Sequence, residues 1–293
     1  MSSALFTTVD GDVILRAGSQ PDSKYDFRVH KFILSLASSV FKDMFSLPRP
    51  SDQNYTEQPD IPIVDISDSP KVFDTILRFI YPGVEPPEIT NISILSALFS
   101  TADKYNITSI NPILRRTLKT FLPDDSFKVF VIACQYGFLE EAKEAAKVSR
   151  SQNFVHLNDR EDVRHISSTD LFRLVQFVHE REHEGQCKIQ AEFDITKRQD
   201  YHTRCQHYWK AHDHYPHVEK AVQEAFVSDP CMGRGGLYAV LDLIFDSPPG
   251  CDYGYCPLRP STIRGILSDI GDGLDSINDT LLGRYFGEDF GKG

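Results

Sequence analysis

The stretch best suited to chemistry in this 293-residue chain is His179-Glu180-Arg181-Glu182-His183. Two histidines four residues apart share one face of a helix and can reach the same Zn2+ ion, which leaves Glu180 to activate a bound water. A zinc-dependent hydrolase built this way also needs a third protein ligand and an open coordination position. Glu219 and Glu224 lie downstream at a suitable separation, outside any recognisable motif. Against the enzyme, Arg181 and Glu182 are charged where a buried active-site helix would be apolar. The extended version of the motif fails too, because Gly185 comes one residue early and Ile189 stands where a third histidine belongs. The expectation is a solvated, charged end of a helix.

A structural zinc site is the second chemistry to weigh. His179, His183 and Cys187 recur at intervals of four, His202, Cys205, Trp209 and His212 share another helical face, and Cys251 and Cys256 stand five apart in a glycine-containing loop. Thiolates and imidazoles could hold the metal in a tetrahedron. No Cys-x-x-Cys pair exists, so these residues are expected to be ordinary half-buried His and Cys beside a core Trp, with no cofactor. Other searches return nothing: there is no G-x-S-x-G elbow and no phosphate loop, and Met232-Gly233-Arg234-Gly235-Gly236 reads as a turn. Asp269, Asp272, Asp275 and Asp279 have the wrong spacing for a calcium loop and read as the solvated face of a helix.

The elements that would have to position these residues start from an acidic composition. The chain holds 31 Lys plus Arg against 42 Asp plus Glu, a net charge of −11, most of it after residue 150. Without a basic block it is a poor match for phosphate backbones, so no nucleic acid is expected as partner. No apolar run approaches the length needed to span a bilayer, and the N-terminus lacks the pattern of a secretory signal, so no membrane association is expected. Six cysteines are too sparse for a disulfide framework, which points to an intracellular protein of the cytoplasm or nucleus. Hydrophobic residues make up 41%, enough for a sizeable core.

Residues 12–16 (DVILR) read as a strand, turn residues follow at 17–24, and Tyr25, Phe27 and Val29 alternate with polar neighbours as a second strand. From Phe32 the period changes. Phe32, Ile33, Leu36, Ala37, Val40, Phe41, Met44 and Phe45 mark one side of a helix ending near Phe45. A proline-rich loop leads to a third strand at 61–66. Ser69-Pro70 caps a helix that stops at Tyr81-Pro82-Gly83. Further helical faces carry Leu95, Leu98, Phe99, Ala102 and Tyr105, then Ile113, Leu114, Leu118 and Phe121, and a helical hairpin turns at Gly137. Beyond 150 the pattern is helical but weaker. Its last face is Ile263, Leu267, Ile270, Leu274, Ile277 and Leu281, at alternating four and three.

Taken in order, D-V-I-L (12–15), F-R-V-H-K (27–31), L-x-x-x-S-x-x-F-x-x-M-F (34–45), F-x-x-I-L-R-F-I-Y-P-G (73–83) and A-D-K-Y-N-I (102–107) resemble a BTB/POZ domain. The resemblance covers about 10–122 and implies an α+β fold, with a small sheet of three or more strands packed by five or more helices. Residues 123–150 resemble the start of the helical extension that often follows such a domain. Residues 151–293 form a mostly helical region of unrecognised kind, in a layout similar to BTB proteins numerous in fungi. The family implies an adaptor or scaffold that binds other proteins without catalysis. Met44, Phe45 and Leu47, with Tyr55 in the following loop, are the expected partner-binding residues. Ubiquitin-ligase adaptors of the family carry hydrophobic-x-Glu just after this helix. Here Leu47-Pro48-Arg49-Pro50-Ser51 occupies that place and Tyr55-Thr56-Glu57 fits several residues late, so a cullin-family scaffold would meet a displaced motif. About ten residues precede the first strand, short for the element that family homodimers use.

Overall fold

The alternation around Tyr25 forms the strand it implies. A computed structural model describes residues 6, 10–18, 24–47, 61–150, 154, 161–198, 208–232, 234–244 and 260–287. In it β1 (Val13–Ala17) and β2 (Tyr25–Val29) pair antiparallel, with Val13 opposite Val29 and Leu15 opposite Phe27, all four buried. β3 (Ile63–Ile66) runs parallel to β1 on its other edge, giving the strand order β2-β1-β3. The chain divides into two compact units, Met1–Phe121 and Leu122–Gly293.

In the first unit the stripe expected to be one helix is two. α1 (Lys31–Ala37) and α2 (Ser39–Ser46) are separated by Ser38, whose backbone is extended at φ −140°, ψ 121°. Apolar spacing alone does not register such a break, because the residues on either side keep a helical period. α3 (Pro70–Ile80) starts at Ser69, whose hydroxyl accepts from the Val72 amide, and buries Val72, Phe73, Ile76 and Leu77. Gly83 beyond it sits at φ +76°, which favours glycine. α4 (Ile92–Lys104) is capped by Asn91 and buries Leu95, Leu98, Phe99 and Ala102. α5 (Asn111–Thr120) buries Leu114 and Leu118. The resulting α+β core is closed over one face of a three-stranded sheet.

The second unit is helical among the described residues. α6 (Leu122–Gln135) contains Asp125 in a non-helical conformation, where its carboxylate accepts from the Lys128 amide, so its true cap lies inside the element. Gly137, at φ +69°, turns the chain into α7 (Leu139–Val148). α8 (Ser168–Arg198), α9 (Tyr208–Ser228), α10 (Arg234–Ile244) and α11 (Pro260–Tyr285) follow. Ile189 and Phe193 of α8 pack with Val222 and Phe226 of α9, Leu237 of α10, and Ile263, Leu267, Ile270 and Leu274 of α11. Four of the six residues of the predicted final face are therefore in this core. Asp269, Asp272, Asp275 and Asp279 are exposed on the other side, as expected. Gly185 sets how closely α8 approaches α9, since a Cβ there would stand 2.3 Å from Cζ of Phe226. Among the described residues no helix is long and apolar enough to cross a membrane.

Candidate functional site

The β2–α1 corner explains how a strand passes into a helix with no turn residue between. The His30 amide donates to the Tyr81 hydroxyl at 2.8 Å, and the Lys31 amide donates to Asp12 Oδ1 at 2.7 Å. Two of the orphan amides at the start of α1 are thus satisfied by side chains from elsewhere in the unit. At the other end of α1, the Ser38 amide donates to the Leu34 carbonyl while its hydroxyl accepts from the Phe41 amide. The same hydroxyl donates to the Tyr105 carbonyl at 2.5 Å. Ser38 therefore ends one helix, starts the next and ties both to the end of α4.

This break sorts the apolar residues into two sets. Leu34 and Phe41 go inward, and Phe41 stacks on Tyr105 at 4.8 Å and meets Phe73 edge-on. Phe32 and Leu36, one turn apart on α1, go outward at 77% and 79% exposure, and Leu47 just past α2 is 69% exposed. Met44 and Phe45 are half-buried, Phe45 resting against Phe41. Tyr55 lies outside the described residues. The sequence reading thus placed Phe32 and Leu36 on a buried stripe, and this is corrected: a helix of seven residues turned by Ser38 cannot bury the Phe32–Leu36 face and the Leu34 face together.

The floor under Ser38 is held by Asp68. Its carboxylate accepts from Thr101 Oγ1 at 3.1 Å, Lys104 Nζ at 2.7 Å and the Tyr105 hydroxyl at 2.7 Å. Burial alone would push this carboxyl up, but the three hydrogen bonds and the Lys104 charge outweigh it and hold it below the usual carboxylate range. Burial and the Asp68 charge push the Tyr105 phenol up, so it stays a donor. The start of α3 and the end of α4 are locked together by this cluster.

The metal-ligand candidates fall differently. The His179–His183 stretch is not at a helix end; it lies in the middle of α8. His179, His183 and Cys187 are exposed along that helix. Glu180, the would-be base, accepts from Arg284 at 2.6 Å and from the Tyr285 hydroxyl at 2.5 Å, clamping α8 to α11. Glu219 accepts from Gln223, and Glu224 pairs with Lys220 on the surface of α9. Cys205, Cys251, Cys256 and His202 lie outside the described residues. No group of three His, Cys, Asp or Glu close enough to hold a metal occurs among the described ones.

Arg181 corrects the solvated-face reading outright. It is 2% exposed, and its guanidinium donates to the carbonyls of Lys147 (2.7 Å), Ala146 (3.3 Å) and Ser149 (2.5 Å), with the Phe177 ring 5.4 Å away. It caps the C-terminus of α7, where the carbonyls are orphaned and the dipole is negative. Two successive charged residues in Arg181-Glu182 gave no sign that the first would turn inward.

A mixed three-stranded sheet packed with α1 to α5, with large apolar side chains exposed on α1 and after α2, makes a small α+β unit. Residues 8–122 match the family model of the BTB/POZ domain, so the chain carries a BTB/POZ domain, a protein–protein interaction module. A search of curated proteins finds no match.

Proposed function

We propose that the protein is an adaptor or scaffold, acting inside the cell without catalysis or cofactor, that grips a partner polypeptide on the α1–α2 face of its BTB/POZ domain. The observation that carries this is the outward turn of Phe32 and Leu36, together with Leu47, in a unit whose other long apolar side chains are mostly buried. Large exposed apolar groups of this kind are typical of interaction surfaces. Half-buried Met44 and Phe45 supply the base of the face, and Tyr55 is taken as a further partner-binding residue. The acidic helical unit is the source of further specificity.

The test is the double variant Phe32→Asp, Leu36→Asp used as bait beside the wild-type chain in affinity purification with quantitative mass spectrometry. Partners that depend on this face fall at least tenfold in the variant. If the two baits return the same partners at equal yield, the face is not the binding surface. Titration calorimetry with a cullin N-terminal domain checks the ubiquitin-ligase role, and heat of binding lost on Glu57→Ala would assign it to the displaced motif. Light scattering at micromolar concentration tells monomer from homodimer, and a dimer dispersed by the same double variant would make the second copy the partner.

A further inference from the structure

Arg181 is a buried cation whose bonded acceptors, the carbonyls of Ala146, Lys147 and Ser149, are dipoles rather than charges. Among the described residues its Nε has no hydrogen-bond partner. The Glu182 and Asp229 charges reach it through space, and Asp229 is already engaged by Arg150 at 2.9 Å. A buried ion whose bonded partners are all neutral is costly. Cys231, three residues past α9, converges on the same point. Its thiol donates to the Ser149 carbonyl at 3.5 Å, the oxygen that Arg181 Nη2 also binds. Sulfur and guanidinium therefore meet across one atom, and Arg150 faces the sulfur as well. Burial, helped by the Asp229 charge, holds this thiol protonated in spite of both arginines, so the resting sulfur brings no charge. It is only partly buried, which leaves it open to a small oxidant.

We propose that Cys231 is a peroxide-responsive thiol whose sulfenate supplies Arg181 with a directly bonded anion, and that its oxidation tightens the helical unit. The small fraction of Cys231 that has released its proton to solvent attacks one oxygen of hydrogen peroxide as thiolate. An S–O bond forms while the O–O bond breaks, and the departing hydroxide takes up a proton from solvent as water. Sulfur loses two electrons and the peroxide gains them. A sulfenic acid is a stronger acid than its parent thiol, so its proton passes to solvent and the S–O− oxygen accepts from Arg181. The oxidised residue then joins α7, α8 and the segment after α9 through one charge pair.

The experiment treats the full chain with hydrogen peroxide, traps sulfenic acid with a 1,3-dione, maps the adduct by peptide mass and follows thermal unfolding. The adduct is expected on Cys231, with a midpoint about 2 to 4 °C above that of the reduced protein, and no such shift in Cys231→Ser. Exposed Cys187 and partly buried Cys134, whose thiol burial pushes up without an arginine hydrogen-bonding beside it, are the internal controls. A second arm needs no oxidant: Cys231→Asp melts above Cys231→Asn by a similar margin if Arg181 wants an anion. Labelling confined to Cys187, an oxidised protein that melts no higher than the reduced one, or an Asp variant no more stable than the Asn variant overturns the proposal. None of these outcomes depends on the partner-binding face.

Discussion

Replacing Arg181 by Met tests whether the charged centre of His179–His183 is a structural cap or a solvated surface. Met keeps most of the apolar stem and the packing on Phe177, and removes the donors. Three carbonyls at the end of α7 lose this donor; Ala146 keeps the Ser149 amide and Ser149 keeps the Cys231 thiol, so the loss falls hardest on the Lys147 carbonyl, bonded at 2.7 Å. A buried acceptor left unpaired costs about 1–3 kcal/mol. Removing a desolvated charge returns part of this, so the expected net loss is about 1–2 kcal/mol, or roughly 2 to 8 °C in midpoint for a unit of this size. Urea unfolding of the full chain followed by circular dichroism reads it. Arg181→Lys recovers part of the loss, since an ammonium cannot span the three carbonyls as a planar fork does. Exposed Arg284, changed to Met in parallel, leaves the midpoint within error although it breaks the ion pair with Glu180. A midpoint for Arg181→Met within about 0.5 kcal/mol of wild type, the range of ordinary surface changes, would refute the cap.

Gly185→Ala drives a Cβ into the Phe226 ring and costs about 1–3 kcal/mol, whereas Gly265→Ala on the same unit meets nothing within 4 Å and gains up to about 1 kcal/mol; chemical denaturation of both separates close packing from helix propensity. Phe41→Ala costs about 3–5 kcal/mol, while Leu36→Asp, four-fifths exposed, changes stability by less than about 0.5 kcal/mol. Asp68 titrates below its unfolded value, so its contribution is full above about pH 4 and is lost as pH falls through the lower folded value. Acid unfolding of Asp68→Asn should accordingly show a shallower dependence on pH in that window than wild type; equal slopes would mean the cluster does not hold the carboxylate.

Where one face of an element was buried and the other wet, the period of the sequence was enough. β1, β2, α3, α4 and the face from Ile263 to Leu281 were all legible this way. Legibility failed where the deciding contact was long-range. Ser38 reads as one more small residue in a helical stripe until its hydroxyl is seen donating to the Tyr105 carbonyl, 67 residues away. Asp68 has no local signature either, since its three partners lie at the end of α4 and in the residue that follows it. In the helical unit Glu180 answers to Arg284 and Tyr285 about a hundred residues downstream. The H-E-x-x-H pattern was readable as letters, but what Glu180 does was settled by residues a motif does not include.

The break at Ser38 also carries the functional argument further than the apolar pattern could. An uninterrupted helix from Phe32 to Phe45 would need a core on one side for eight apolar residues. Splitting it lets Leu34 and Phe41 fill the core while Phe32 and Leu36 turn outward. The exposure is therefore not a packing failure: it follows from the hydrogen bonds that Ser38 makes within the domain. A face fixed in this way loses little conformational entropy on docking. Ser38→Ala tests that link. It removes the cap of α2 and the tie to Tyr105, with a stability loss of about 1–3 kcal/mol, and in a chain still folded it should weaken partner capture alongside the Phe32→Asp, Leu36→Asp variant, although Ser38 is itself buried and touches no partner. Undiminished capture by a folded Ser38→Ala protein would show that the exposed residues bind without the scaffold that turns them outward.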